Sequence, residues 1–179
     1  PATLSHEEVV TLFHEFGHCL HHILTQVDYL GASGINGVEW DAVELPSQFF
    51  ENWCWENSGL AVLTAHVDTG EPLPNSLFER LIAAKNFQSA MAMIRQMEFA
   101  VFDFRIHQEY VANQASLVDD ILADVRSKTC VVPVVPYNRF AHSFSHIFGG
   151  GYSAGYYSYS WAEVLSSDAF SRLDRKSVV

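Results

Sequence analysis

The sequence has few cysteines and few cations, and it has no long hydrophobic run. The three cysteines, Cys19, Cys54 and Cys130, form no C-x-x-C pair, so we expect no disulfide framework and a reducing compartment. Ten basic residues stand against 21 acidic ones, and the net charge of −11 argues against nucleic acid or an anionic membrane as the partner. No apolar run approaches the roughly 20 residues that a membrane-spanning helix needs.

The start of the sequence lacks two further features. Residues 1–5 have neither the charged region nor the apolar core of a signal peptide, and there is no initiator methionine. We therefore expect a piece of a longer protein in the cytoplasm, or in an organelle if the parent chain carries a transit peptide. With 179 residues, 49% of them apolar, the chain is long enough to bury a core.

The stretch His14–His18 reads H-E-x-x-H within a helical pattern. Positions i and i+4 of a helix share a face, so His14 and His18 can both turn an imidazole toward one metal ion. Glu15 follows the first histidine directly. Two neutral histidines beside a carboxylate that can take a proton from the attacking water are typical of a zinc hydrolase.

The pattern around this motif predicts a helix over residues 5 to about 27. Ser5 and Glu8 match a capping box at its start. We expect its apolar side to pack and its polar side to face a cavity or solvent. The apolar stripe consists of Val9, Leu12, Phe13, Phe16, Leu20 and Ile23. Gly17 costs such a helix about 1 kcal/mol relative to Ala, which a close neighbouring backbone would explain.

A second histidine pair competes with the first. His18 and His22 are also four residues apart, but Cys19 follows His18, so this pair has no adjacent carboxylate base. We therefore favour His14 and His18, and we expect His21 and His22 to pack or to form hydrogen bonds. We interpret Cys19 as a buried structural thiol rather than a ligand.

A catalytic zinc ion usually takes a third protein ligand. The downstream candidates are Glu39, Asp41, Glu44, Glu51, His66, His107, His142 and His146. Glu44 and Glu51 are seven residues apart and share a helix face, so one can bind the metal while the other hydrogen-bonds a metal-binding histidine. Spacing alone does not separate the two, and a solvated surface carboxylate is the plainer interpretation of each.

A glycine-rich aromatic stretch lies near the C-terminal end. Tyr152, Tyr156 and Tyr159 follow the glycines at 149–151 and fall at i, i+4 and i+7, which is one face of a helix. Phenol groups on one face can hydrogen-bond a peptide backbone and an oxyanion. An aromatic packing stripe is the other interpretation, and the residues alone leave both open.

The remaining pattern is mostly helical with long loops. Residues 28–42 read as a glycine-rich loop with at most a minor β element at 38–40. A second helix is predicted to start near residues 41–46 and to run to about residue 55. Further helices are predicted over 58–67, over 76–110 with a break, over 119–126, over 140–148 and over 152–173. The sequence therefore predicts a mainly α fold.

These motifs together resemble the thimet oligopeptidase/oligopeptidase A family of zinc metallopeptidases, over essentially the whole chain. The resemblance rests on His14–His18, on Glu44-Leu-Pro-Ser-Gln48, on Glu51-Asn-Trp53 and on the Gly-Gly-Tyr-x-x-x-Tyr-Tyr-x-Tyr run at 150–159. The sequences Asp41-Ala-Val-Glu44 and Phe102-Asp-Phe-Arg105 are most similar to the oligopeptidase A branch.

The resemblance implies site residues that spacing does not. It implies a helical zincin-type core with the H-E-x-x-H motif on the active-site helix. The implied Zn²⁺ ligands are His14, His18 and Glu44, the implied general base is Glu15, and Glu51 becomes a residue beside the ligands. By motif position, His146 and Tyr159 are expected to stabilise the oxyanion, and Tyr152 and Tyr156 to bind substrate.

Family enzymes are several times longer than this chain. The resemblance therefore implies that residues 1–179 are a single helical catalytic core, from the C-terminal part of a two-domain peptidase. The expected partners are short peptide substrates and the remainder of the parent enzyme, whose N-terminal region forms the other wall of a channel. We expect no nucleic acid and no membrane partner.

Three functional hypotheses follow. The first is zinc-dependent hydrolysis of internal bonds in short peptides. The second is an inactive metal- or peptide-binding fragment of such an enzyme, with the ligands in place and the channel incomplete. The third is a helical interaction module in which H-E-x-x-H is accidental; its zinc content would separate it from the other two.

Overall fold

The computed structural model describes residues 3–114 and 116–176, with side chains up to Leu173. The described residues form α-helices and short 3-10 turns and no strand, which confirms the prediction of a mainly α fold. The helices are α1 (His6–Ile23), α2 (Leu45–Glu51), α3 (Asn57–Leu63), α4 (Asn75–Asn86), α5 (Ser89–Glu109), α6 (Leu117–Thr129), α7 (Phe140–Ser143) and α8 (Ser158–Lys176). The 3-10 turns are Leu30–Ala32, Gly34–Gly37, Trp40–Ala42, Asn52–Trp55 and Ser145–Ile147.

The chain forms two compact units. The first contains the residues up to Phe87 together with those from Trp161 onward, and the second is Gln88–Ser160. That residues 1–179 act as one catalytic core stays a prediction.

Helix α1 begins at the predicted cap. The Glu8 N–H donates to Ser5 Oγ, and the Ser5 N–H donates to the Glu8 carboxylate at 2.7 Å, which completes the capping box. These reciprocal bonds satisfy two of the N–H groups that a helix start leaves without partners. The start of the helix that carries the H-E-x-x-H motif is therefore fixed by local sequence.

The packing of α1 differs from the prediction. Helix α2 lies against the histidine side of α1, at Gly17, where a Cβ atom would come within 2.6 Å of the Pro46 carbonyl oxygen and the Ser47 Cα. The predicted close neighbouring backbone is thus present. Of the apolar stripe, Phe13 stacks on Phe50 at 5.0 Å. Much of the rest remains uncovered, including Leu12, Phe16 and Ile23 at 56%, 48% and 71% exposure. The prediction that the apolar side packs was wrong for Leu12 and Ile23, and it holds only in part for Phe16, whose ring centroid lies 5.7 Å from that of Phe50.

The second unit has a compact apolar core. It is built on α5 and α6 and on the segment around α7, and its buried members are Phe102, Ile106, Ile121, Leu122, Val125, Phe144, Ile147 and Tyr156. A break separates α4 from α5, as predicted, because Gln88 adopts a left-handed conformation with φ 54°.

The C-terminal helix begins later than predicted. Gly151 and Ala154 have φ of 84° and 53°, which no continuous right-handed helix allows, so residues 151–157 form turns and α8 begins at Ser158. The prediction of a helix from residue 152 was therefore wrong for its first six positions.

The described residues bear on two expectations, the absence of a membrane-spanning helix and the state of the three cysteines. No helix among them is long and apolar enough to cross a membrane. All three cysteines are free thiols, Cys54 buried and Cys130 partly so. Cys19 is exposed, so its predicted burial was wrong; it lies on a side of α1 that no described element covers.

Candidate metal site

Three side chains from α1 and the start of α2 converge on one point. The Nε2 atoms of His14 and His18 each lie 3.2 Å from Oε2 of Glu44. One ligand atom from each of these residues lies within 4.8 Å of the other two, and no other such group of three occurs among the described residues. The first unit thus presents two imidazole nitrogens and a carboxylate oxygen to a shared position.

Local structure explains this convergence. His14 and His18 stand one turn apart on α1, with ring centroids 5.0 Å apart and nearly perpendicular planes. Glu44 is the residue immediately before α2, and Pro46 occupies the first turn, where its missing N–H costs no helix hydrogen bond. The close approach of the two helices at Gly17 brings the start of α2 to the histidines.

Glu44 is held in place by its own helix. Its side chain is only 2% exposed. The Ser47 hydroxyl lies 2.8 Å from Oε2 of Glu44 and 2.9 Å from its carbonyl oxygen, so it can donate to either. A buried carboxylate is unfavourable unless it is paired or binds a cation. The position of Glu44 against two histidines supplies that compensation.

Glu51 occupies a different position from Glu44. The Nδ1–H of His14 donates to Oε1 of Glu51 at 2.6 Å, on the side of the ring opposite Glu44. Hydrogen bonds with Glu44, and then with Glu51, raise the pKa of His14 to about 10 from its usual 6.5. A carboxylate on Nδ1 fixes the ring orientation and leaves Nε2 as the atom that faces Glu44.

The donor set fits Zn²⁺. Catalytic zinc sites commonly have two or three histidine nitrogens and a carboxylate as protein ligands, with a further position for water or substrate. His14, His18 and Glu44 supply two nitrogens and one oxygen. A divalent cation would take the place of a proton on Nε2 of His14, between that nitrogen and Glu44, and would leave the Nδ1–H bond to Glu51 intact.

Glu15 and His18 each have a polar group that bonds to no described residue: the Glu15 carboxylate and Nδ1 of His18. The side chain of Glu15 is exposed and makes no hydrogen bond or ion pair with the described residues. Nδ1 of His18 is buried, and no described group bonds to it. A carboxylate that lies beside the candidate metal ligands and is open to solvent can approach a water molecule or a substrate nitrogen.

The other predicted metal ligands lie elsewhere. His22 is exposed, and its ring lies close to the backbone at Gly34, where a Cβ atom would meet its Nδ1 at 2.3 Å. His66 accepts N–H groups from the turn that follows it, and His107 donates to the Asp103 carbonyl oxygen at 2.8 Å. Glu39, Asp41, His142 and His146 do not belong to the three-residue group described above.

In the second unit, His146 and the three tyrosines form one aromatic cluster. The Tyr152 and Tyr159 rings stack at 4.8 Å, and Tyr156 lies 5.1 Å from Tyr159. His146 is within 6.3 Å of all three ring centroids. The sequence predicted these residues on one helix face, but only Tyr159 is helical. The turns at 151–157 bring Tyr152 and Tyr156 to the same place by another route.

Tyr156 is the most enclosed member of this aromatic cluster. It is 9% exposed, and its hydroxyl donates to Oε1 of Gln96 at 3.0 Å. Burial, followed by the neighbouring Tyr159, raises the pKa of Tyr156 to about 12. Its phenol therefore stays protonated at neutral pH. The substrate-binding roles of Tyr152 and Tyr156 and the oxyanion roles of His146 and Tyr159 stay predictions.

Sequence reasoning missed three polar residues that support these groups. Ser47 hydrogen-bonds Glu44, Gln96 accepts from Tyr156, and the fully buried Asp103 accepts two N–H groups from the turns at 151–157. One signal pointed to Asp103, a carboxylate that directly follows Phe102 in a predicted helix; Phe102 is fully buried, whereas Phe104 is 46% exposed. Ser47 and Gln96 carried no comparable signal.

Comparisons with known proteins find relatives of this chain among peptidases. The sequence profile described as "Peptidase family M3" matches residues 1–179. The chain is 55% identical to oligopeptidase A of Escherichia coli, over 99% of this chain and 26% of that protein. It is 56% identical to oligopeptidase A of Haemophilus influenzae, over the same shares of the two chains. It is 48% identical to the Arabidopsis thaliana protein named "Probable cytosolic oligopeptidase A", over 97% of this chain and 25% of that protein. The chain thus spans about a quarter of the length of these relatives.

Proposed function

Because this chain belongs to peptidase family M3, we propose that it is the metal-bearing catalytic core of a zinc-dependent oligopeptidase. The proposed reaction is hydrolysis of internal bonds in short peptides. The observation that carries the proposal is the convergence of His14 Nε2, His18 Nε2 and a buried Glu44 oxygen within 4.8 Å of one another. Two imidazoles and a carboxylate in this arrangement suit Zn²⁺.

In this proposal His14, His18 and Glu44 hold the metal. Bound Zn²⁺ supplies a Lewis acid for the scissile carbonyl and lowers the pKa of water to near neutrality. Glu51 keeps the His14 ring oriented through the 2.6 Å hydrogen bond on Nδ1.

Glu15 is the proposed general base. Its exposed carboxylate follows His14 directly and is not engaged with other described side chains. It takes the proton of the attacking water and passes it to the leaving amine. General acid–base catalysis of this kind contributes about 10²- to 10⁴-fold to a rate.

Tyr159 and His146 are proposed to stabilise the oxyanion, and Tyr152 and Tyr156 to hold the peptide. The clustered rings support a shared role for the four residues. The Tyr156 hydroxyl donates its hydrogen bond to Gln96, so it has acceptor lone pairs and a ring face to offer a substrate. A donor aimed at developing negative charge is worth about 10²- to 10³-fold in kcat.

The remainder of the parent enzyme is the proposed partner of the exposed apolar surface of the first unit. A groove of about 550 Å³ between α1, the loop that follows it and α2 has an apolar lining that includes Leu20, Leu24, Val27, Phe49 and Phe50. Apolar surface of this extent is typical of an interface. The relatives are about four times as long as this chain, so they contain the sequence that can cover it. The proposed compartment is the cytoplasm, or an organelle if the parent chain carries a transit peptide.

Two measurements test the proposal. Zinc content after dialysis at neutral pH should approach one ion per chain, and substoichiometric metal that does not rise on adding zinc would remove the metal site. A quenched short-peptide assay should then show hydrolysis that falls about 10²-fold or more in Glu15→Gln, with zinc retained.

The alternative is an inactive fragment that binds metal or peptide. It is favoured if the unaltered chain and Glu15→Gln both bind zinc and are equally inert. In that case Glu15→Gln should be made in the full-length parent enzyme and assayed beside the unaltered full-length enzyme. Loss of activity in the variant alone would assign the chemistry to Glu15.

A further inference from the structure

Asp103 on α5 is a fully buried carboxylate that holds the turns before α8. Its Oδ1 accepts the N–H of Ala154 and its Oδ2 accepts the N–H of Tyr156, each at 2.9 Å. Nδ1 of the half-buried His107, one turn along the same helix, lies 3.0 Å from Oδ1. Both carboxylate oxygens are therefore bonded to the segment that carries the tyrosines.

The segment is strained at the point that Asp103 holds. Ala154 has φ 53°, a left-handed conformation that costs a non-glycine residue energy and persists only where the surroundings impose it. The N–H of Ala154 is one of the two that Asp103 accepts. The carboxylate thus fixes the strained residue and the residue two positions on.

Backbone hydrogen bonds also hold the turns at 145–152, which precede the residues bonded to Asp103. The Gly149 and Gly150 N–H groups donate to the Ser145 carbonyl oxygen at 2.8 and 3.0 Å, and Tyr152 N–H donates to the His146 carbonyl oxygen at 2.9 Å. These bonds link His146 to Tyr152, and Asp103 links the following residues to the α5 helix. Together they set where Tyr152 stacks on Tyr159.

We propose that Asp103 is a positioning residue for the peptidase reaction, acting through the backbone at Ala154 and Tyr156 to hold the aromatic cluster of His146, Tyr152, Tyr156 and Tyr159. This inference rests on the proposed function of that cluster. Burying a carboxylate is costly unless its oxygens are fully bonded. The carboxylate of Asp103 accepts from Ala154 and Tyr156, just before Tyr159, so its burial serves to fix the positions of the tyrosine side chains. A misplacement of about 1 Å can cost about 10²-fold in rate.

The test compares Asp103→Asn with Asp168→Asn in the whole zinc-loaded chain. Asparagine keeps the size of the side chain but replaces one acceptor oxygen with a donor, which cannot accept an N–H. Asp168 is an exposed residue whose one ion pair spans 3.9 Å, so its variant is the matched control. We expect kcat of Asp103→Asn to fall roughly 10- to 100-fold. KM should rise as well, because the displaced cluster includes Tyr152 and Tyr156, the proposed substrate-binding residues. Zinc content and all parameters of Asp168→Asn should be unaltered.

Coupling to Tyr159 separates positioning from loss of stability. If Asp103 acts through the aromatic cluster, the loss from Asp103→Asn should largely disappear in a Tyr159→Phe background. Amide hydrogen exchange at Ala154 and Tyr156 should be faster in Asp103→Asn. An unchanged kcat, or kcat losses that multiply in full in the double variant, would overturn the proposal.

Two further outcomes are decisive. If Asp103→Asn does not fold, His107→Ala carries the test, because it removes one partner of Oδ1 and leaves both backbone bonds; it should lower kcat in the same pattern by a smaller factor. If the unaltered chain is inert with zinc bound, the proposed activity of this chain fails. Exchange at Ala154, Tyr156 and Tyr159 then decides the inference, and protection that does not change in Asp103→Asn refutes it.

Discussion

Nδ1 of His14 donates a 2.6 Å hydrogen bond to Oε1 of Glu51, while Nε2 of the same ring faces Oε2 of Glu44 at 3.2 Å. One imidazole thus lies between two carboxylates that have different tasks. The carboxylate on Nε2 belongs to the candidate metal site with His18, and the carboxylate on Nδ1 is proposed to orient the ring. This division separates two glutamates that sequence spacing left equivalent.

The first prediction follows from that difference. Glu44→Ala should weaken zinc binding far more than Glu51→Ala, because it removes a proposed ligand atom. Loss of a residue that orients a ligand typically costs about 10- to 100-fold in metal affinity. Competition titration against a chelator measures both, with the exposed Glu79→Ala as the control. The reverse order of Glu44 and Glu51 would overturn the ligand assignment.

The second prediction concerns metal removal. The three proposed ligands come from α1 and the start of α2, so zinc should bind the folded first unit and not the unfolded chain. A ligand present at about 100 times its Kd stabilises the folded state by about 2.7 kcal/mol. Thermal unfolding with zinc and with excess chelator should show this gain, and Glu44→Ala should abolish it. A gain that survives in Glu44→Ala would mean that the metal binds elsewhere.

The third prediction concerns acid stability in the second unit. Burial opposes ionisation of Glu98, but hydrogen bonds from Arg126, Arg95 and Cys130 outweigh it, and the pKa lies below its ordinary value of 4.5. A carboxyl group with a lower pKa in the folded state stabilises the fold above its unfolded pKa. That stabilisation is lost as the pH falls from about 4.5 through the lower folded value.

Glu98→Gln tests this directly. Near pH 7 it should destabilise the chain by about 3 kcal/mol, because Arg126 and Arg95 lose a buried ionic partner. The difference from the unaltered chain should shrink as the pH falls below about 4.5, because Glu98 of the unfolded chain takes up a proton first and Glu98 of the folded chain does so at lower pH. Urea unfolding over this pH range measures both, with the exposed Glu79→Gln as the matched control. A constant difference at all pH values would contradict the ionic role.

The sequence predicted best what is local. Ser5 and Glu8 fix the start of α1 through their own bonds, and His14 and His18 share a face by helix geometry alone. Which side of α1 becomes covered was not predictable from periodicity, because it depends on where a second backbone can approach. The start of α8 was mispredicted since three tyrosines at helical spacing also fit a segment whose residue 154 is left-handed.

Tertiary context decided the remaining roles. Glu44 and Glu51 share a helix face in the sequence, yet one meets Nε2 and the other Nδ1 because the helices cross at a particular place. Asp103 bonds to residues about 50 positions away, a distance at which spacing carries no information. The resemblance to a family implied the ligand set, and the geometry shows that His14, His18 and Glu44 lie close enough to share one metal ion.

The fourth prediction concerns Gly17, where the two helices that form the metal site meet. Alanine is the better helix former by about 1 kcal/mol. Its Cβ, however, would lie 2.6 Å from the Pro46 carbonyl oxygen and from the Ser47 Cα, and neither backbone atom can move aside cheaply. Overpacking of this kind costs about 1–3 kcal/mol, so Gly17→Ala should lower the free energy of unfolding despite the better helix propensity.

Gly31→Ala is the matched control for this substitution. A Cβ at Gly31 meets no atom within 4 Å, so this variant should be neutral or slightly more stable. Gly17→Ala should also weaken zinc binding, because a shift of α2 moves Glu44 away from both histidines. Urea unfolding and chelator competition measure the two effects on the same samples. If Gly17→Ala were as stable as Gly31→Ala and bound zinc normally, the contact between α1 and α2 would not be what sets the metal geometry.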